Sequence, residues 1–143
     1  MDLYKVTVKG YEYVEDKRKK VRKTYIVEAY SLTDVDATMA EILKVESDLN
    51  DVQILGASLV TINDIFCHED FYYKSEPKWY KCKVAIIDGE TEKATKNVML
   101  VKATSLQDAV SELKQFMSGT VSDWDSVAAE ETNIYDVCRK KLS

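Results

Sequence analysis

Proline occurs once in the 143 residues, glycine four times, histidine once and cysteine three times. So little proline and glycine argues against a loop-rich binder. It also leaves almost no material for a phosphate cradle, and no G-x-x-x-x-G-K-[ST], G-x-G-x-x-G or G-x-S-x-G pattern is found. The cysteines, Cys67, Cys82 and Cys138, are odd in number and widely spaced, unlike a disulfide framework. There is no C-x-x-C and no second histidine at ligand spacing, so no zinc site and no cofactor are expected. Met1-Asp2-Leu3-Tyr4-Lys5-Val6 lacks the basic and apolar regions of a signal peptide. No run approaches the roughly 20 apolar residues that span a bilayer. A cytoplasmic chain with reduced thiols and no membrane partner is the expectation. Basic residues number 20 against 25 acidic ones, for a net charge of −5, which excludes a uniformly basic nucleic-acid coat but not a local basic patch.

What is present is ordinary globular composition, 45% hydrophobic and 31% charged, arranged with an internal echo. Val27-Glu28-Ala29-Tyr30-Ser31-Leu32-Thr33-Asp34 matches Val101-Lys102-Ala103-Thr104-Ser105-Leu106-Gln107-Asp108 at five of eight positions. Leu3–Val8 matches Trp79–Val84 at three of six, and Ile62-Asn63-Asp64-Ile65 aligns with Ile134-Tyr135-Asp136-Val137. The offset falls from 76 to 74 to 72, with the losses in connections, where a duplicated fold tolerates them.

Each copy reads β-β-α-β. Tyr4, Val6 and Val8 alternate with Lys5, Thr7 and Lys9, and Tyr80, Cys82, Val84 and Ile86 alternate with Lys81 and Lys83. Loops follow around Glu15–Lys20 and at Asp88-Gly89-Glu90-Thr91, then second strands over 21–30 and 97–104. Ser31 and Ser105, each three residues before an aspartate, are N-cap candidates. The helices carry apolar stripes, Val35, Met39, Ile42 and Leu43 in one and Leu106, Ala109, Val110, Leu113, Phe116 and Met117 in the other, with Gly119 as a stop. A third strand closes each copy, near 52–66 and 124–137. The expected fold is α+β: two tandem repeats, 1–66 and 79–138, joined by a 67–78 linker and followed by a 139–143 tail. A helix between the second and third strands makes those two parallel. The simplest packing is one mixed, mainly antiparallel sheet with both helices on one face and a pseudo-twofold axis.

The second copy, with Trp79-Tyr80-Lys81-Cys82-Lys83-Val84, Ala103-Thr104-Ser105-Leu106-Gln107-Asp108-Ala109, Met117-Ser118-Gly119-Thr120, Glu131-Thr132 and Asp136-Val137, resembles an uncharacterised family of small two-copy proteins from Bacteroides-type gut bacteria and their phages, including crAss-like phages. The resemblance spans nearly the whole chain and its motifs are structural. It implies a phage or mobile-element setting inside a bacterial host cell, and no activity.

Charge is the functional clue. Residues 1–30 carry net +3, 31–76 net −8, 77–117 net +2 and 118–143 net −2. Within Lys17-Arg18-Lys19-Lys20-Val21-Arg22-Lys23, six of seven residues are cationic. Such a run suits a phosphate-contacting arm. A solvated hairpin tip that blocks edge-to-edge pairing is the favoured reading of the run by itself. Tyr11 and Tyr13 fall on the outer face with Lys5, Thr7 and Lys9 if the first strand is unbroken, as a stacking platform for bases. A bulge at Gly10 would turn them inward, and inward or edge packing is the expectation, since an exposed tyrosine pair needs a reason. Ile26 and Leu100 should point away from the helices, leaving either an apolar partner surface, such as a homodimer contact, or faces that the two copies cover for each other. An enzyme working through Asp64, Asp136 or Cys67-His68 is the weakest reading: nothing fixes the acid clusters Glu69-Asp70, Asp123/Asp125 and Glu130-Glu131 at a shared site, and a strand-end polar role suits Asp64 and Asp136 better. The sequence thus points to a non-catalytic accessory protein that contacts nucleic acid through residues 17–23. A protein–protein adaptor or virion component is the alternative.

Overall fold

The computed structural model describes residues 1–46, 49–67, 76–118 and 123–139. His68, the Gly119 stop, most of the 67–78 linker and the tail beyond Arg139 lie outside the described residues. The chain forms eight strands and two helices in the order β1 (Asp2–Val14), β2 (Lys17–Ala29), α1 (Leu32–Glu46), β3 (Asn50–Val60), β4 (Asp64–Phe66), β5 (Lys78–Ile87), β6 (Ala94–Ala103), α2 (Leu106–Met117), β7 (Asp123–Glu131) and β8 (Ile134–Cys138).

The fold is α+β, with strands predominating, but the single expected sheet is two. One has the order β3-β1-β2-β8 and the other β4-β6-β5-β7. Two compact units result, residues 1–60 with 133–143, and residues 61–132. In each, a long antiparallel hairpin is central, a third strand lies antiparallel beside its first arm, and a short strand lies parallel beside its second arm. The expected third strand of each copy is therefore two strands. Its longer part does run parallel to the second strand, as the helix crossover requires, but with the first strand between them. Its short end does not stay with its own expected repeat: β4 pairs with β6 and β8 with β2. The boundaries at 66 and 79 are thus not the boundaries of the compact units.

Alternation decides what each sheet buries. In the first unit Tyr4, Val6, Val8, Tyr25, Val27 and Ala29 face α1, where Val35 and Met39 are buried and Ile42 and Leu43 pack against them. In the second, Tyr80, Cys82, Val84, Met99, Val101 and Ala103 meet Ala109, Leu113 and Met117 of α2. Each fully buried Val, Leu or Met among them contributes about 1.5–3 kcal/mol. The helices begin where the serines predict: Asp34 N–H donates to Ser31 Oγ at 3.2 Å and Asp108 N–H to Ser105 Oγ at 3.1 Å.

Candidate nucleic-acid interface

The basic run is not a loop. The first hairpin turns on Glu15 and Asp16 alone, both in the left-handed region at φ 51° and 64°, and β2 starts at Lys17. The β1–β2 register is unbroken from Asp2↔Ala29 to Val14↔Lys17. Gly10 therefore makes no bulge in this hairpin, and the expected inward turn of the tyrosines does not occur. Glycine is there for room: a Cβ on it would lie 2.7 Å from Leu49 Cβ. The register shifts belong to the β1–β3 pairing instead, opposite Thr7/Val8 and Lys9/Tyr11.

Strand alternation then sorts the cations. Lys5, Lys9, Tyr11 and Tyr13 share the face away from the helix with Arg22, Lys20 and Arg18, the cross-strand neighbours of Lys9, Tyr11 and Tyr13. Lys17, Lys19 and Lys23 point to the opposite face, so the structure brings together only half of the predicted run. Lys23 is engaged there, its Nζ 3.9 Å from the Tyr135 ring centroid. On the tyrosine face, the Arg18 guanidinium stacks 3.7 Å over Tyr11 and donates to Asp51 Oδ2 at 3.1 Å. Lys9 Nζ lies 5.9 Å from the same ring. Tyr13, 65% exposed, leaves a ring open to solvent. Among the described residues, Lys20 and Arg22 make no ion pair within 4.0 Å, so their charge is free for a polyanion. Sequence reasoning missed Asp51, which braces Arg18. It lies 33 residues away, and only the placement of β3 beside β1 brings it close.

The other candidates stand differently. Ile26 and Leu100 do lie on the faces away from the helices, as alternation requires, but each is only 2% exposed. They form no exposed apolar patch. The exposed large apolar residues include Leu55 and Leu59 of β3. Asp64 and Asp136 make the same local contact, in which each Oδ1 accepts the N–H of the next residue, Ile65 or Val137, at 2.8 Å. Cys67 is exposed, Cys82 is buried with its thiol pushed up by desolvation, and Cys138 is half-buried. Among the described residues, no three His, Cys, Asp or Glu side chains gather as a metal site. No described helix is long and apolar enough to cross a membrane.

A comparison with curated proteins finds no match. A family profile matches residues 2–140, nearly the whole chain, and the protein belongs to that family, described as Domain of unknown function (DUF4494).

Proposed function

We propose that the protein is a non-catalytic binder of single-stranded nucleic acid, acting through the β1–β2 face formed by Lys9, Tyr11, Tyr13, Arg18, Lys20 and Arg22. The observation that carries this reading is the unbroken hairpin register, which puts two tyrosines and three β2 cations on one face. Single-strand binders combine aromatic stacking platforms with cations that follow the backbone. Here Tyr13 offers the open ring, while Lys20 and Arg22 offer charge that no carboxylate among the described residues pairs within 4.0 Å. A phage or mobile-element role in a bacterial cytoplasm follows from the family resemblance of the sequence and belongs to the same proposal. So does an origin by duplication. Its support is the equivalent pairing Tyr4↔Val27 and Tyr80↔Val101, the paired serine caps, and the matching Asp64 and Asp136 contacts.

The test is fluorescence anisotropy with labelled single-stranded and duplex oligonucleotides over a salt series. Binding should favour the single strand and weaken as salt rises. Each of Lys20→Ala and Arg22→Ala should lower the salt slope by about 0.7. Tyr13→Ala should weaken binding by about 10-fold or more while leaving the slope unchanged, because stacking releases no counterions. Absence of any salt-dependent binding removes the reading.

A second reading, the protein–protein adaptor, draws on β3, whose Leu55 and Leu59 are 44% and 64% exposed.

A further inference from the structure

The sheet edges differ in how they are protected. An edge strand presents unpaired N–H and C=O groups, which proteins blunt with charge, proline or shortness. β7, one edge of the second sheet, carries Asp123, Asp125, Glu130 and Glu131. β4 and β8, two further edges, are three and five residues long. The stretch of β2 that β8 does not cover is lined by the cations of residues 17–23. Among the described edges, β3 has the longest uncharged run. Residues 52–60 are nine consecutive positions without a charge or a proline, in a chain that is 31% charged. The two register shifts fall in its first half, so Gly56–Val60 runs unbroken against Leu3–Thr7. Among the described residues, no strand pairs with its other side.

We propose that β3 is a homodimerisation edge. Two copies pair Gly56–Val60 antiparallel about a twofold axis at Ser58, which joins two four-stranded sheets into one of eight strands.

The residues of β3 argue for a second copy as the occupant. With Ser58 on the axis, Leu59 meets Ala57 of the second copy and Val60 meets Gly56 of the second copy, so each large side chain faces a small one. Such self-complementarity is what an isologous contact needs. The charge layout agrees. Ser58 pairs with Lys5, and Arg18 pairs with Tyr13, eight residues further along β1. At about 3.3 Å per residue, the two basic hairpin tips would project in opposite directions and sit roughly 50 Å apart, far beyond the screening length of about 8 Å. A neutral strand also carries nothing that repels its own copy. A twofold axis normal to the sheet keeps the same face of both copies on one side, so the two tyrosine-and-cation faces would flank the junction. That last consequence rests on the nucleic-acid reading; the dimer does not.

Sedimentation equilibrium of the full chain tests the proposal. The expected species has twice the 16.3 kDa chain mass. Leu59→Lys places like charges on neighbouring cross-strand positions at the axis and should raise the dimer dissociation constant by about 10-fold or more. Ser58→Cys, an exposed and nearly isosteric change made together with Cys67→Ser, should cross-link to a dimer on oxidation, while Cys67→Ser alone should not. Lys20→Ala should leave the mass unchanged, which separates this proposal from the nucleic-acid reading. A wild-type chain that stays monomeric up to about 0.5 mM overturns the proposal. So does a dimer that neither responds to Leu59→Lys nor cross-links through Ser58→Cys.

Discussion

Gly10 shows how a residue can be conspicuous in sequence and still be misread. A glycine inside an alternating strand suggests a bulge. Its actual cause is Leu49, which leaves a gap no Cβ can share at 2.7 Å. Nothing local signals this, because Leu49 reaches Gly10 only after α1 has crossed back over the sheet. Gly10→Ala should therefore destabilise the first unit by about 1–3 kcal/mol in urea unfolding, an overpacking cost. Leu49→Ala in the same chain should recover part of that loss, since the colliding atoms beyond Cβ are gone, and strict additivity of the two changes would refute the contact. Cys82 gives a second residue-scale expectation. Its thiol is raised above the ordinary 9.0 by burial. Well below pH 9 both folded and unfolded states hold the proton, and stability does not depend on this group. As pH rises past 9 the unfolded chain releases the proton first, so stability falls until the folded thiol also ionises. Thermal melts between pH 8 and pH 10.5 should show a downward slope that Cys82→Ala reduces, even though that variant is less stable throughout.

At the scale of elements, the hairpins and helices were legible. Strict alternation marked β1 and β5, and a serine three residues before an aspartate marked both helix starts. These signals are local, and the physics that uses them is local too. The boundary of β2 was not legible: Lys17–Lys20 looks like a loop by charge, yet the turn needs only Glu15 and Asp16. A two-residue turn with both residues at positive φ matches the twist of the flanking strands, and it extends the ladder into the basic run. That extension is what splits the cations between two faces. For the caps, Ser105→Ala should cost about 1 kcal/mol, because the Asp108 N–H loses its acceptor in the first turn of α2. Ser105→Asn, which keeps a capping acceptor, should recover most of it, and chemical denaturation of the three chains distinguishes a cap from a generic packing loss.

At the scale of the whole molecule, the element order was legible and the assignment of the short strands was not. Ile65 and Val137 each follow an aspartate and sit in similar short contexts, and the hairpin edges they join, at Leu100 and Ile26, are apolar in the same way. A three-residue or five-residue strand carries too little pattern to choose between two such similar edges, so chain order suggests the wrong one. The consequence is that the first compact unit is built from two separate stretches of chain, 1–60 and 133–143, with the whole of the second unit between them. A crossed pairing of this kind predicts the opposite of a simple tandem arrangement. A carboxylate introduced at Ile65, buried in β4, should loosen β6 around Met99–Val101, although Ile65 lies within the 1–66 repeat expected from the sequence. Val137→Asp in β8 should loosen β2 around Tyr25–Val27 and leave β6 protected. Native-state hydrogen exchange reads the two units separately, because local opening is reported amide by amide. If Ile65→Asp lowers protection in β2, or Val137→Asp lowers it in β6, the short strands pair as the simple tandem arrangement expects and the crossed pairing is wrong.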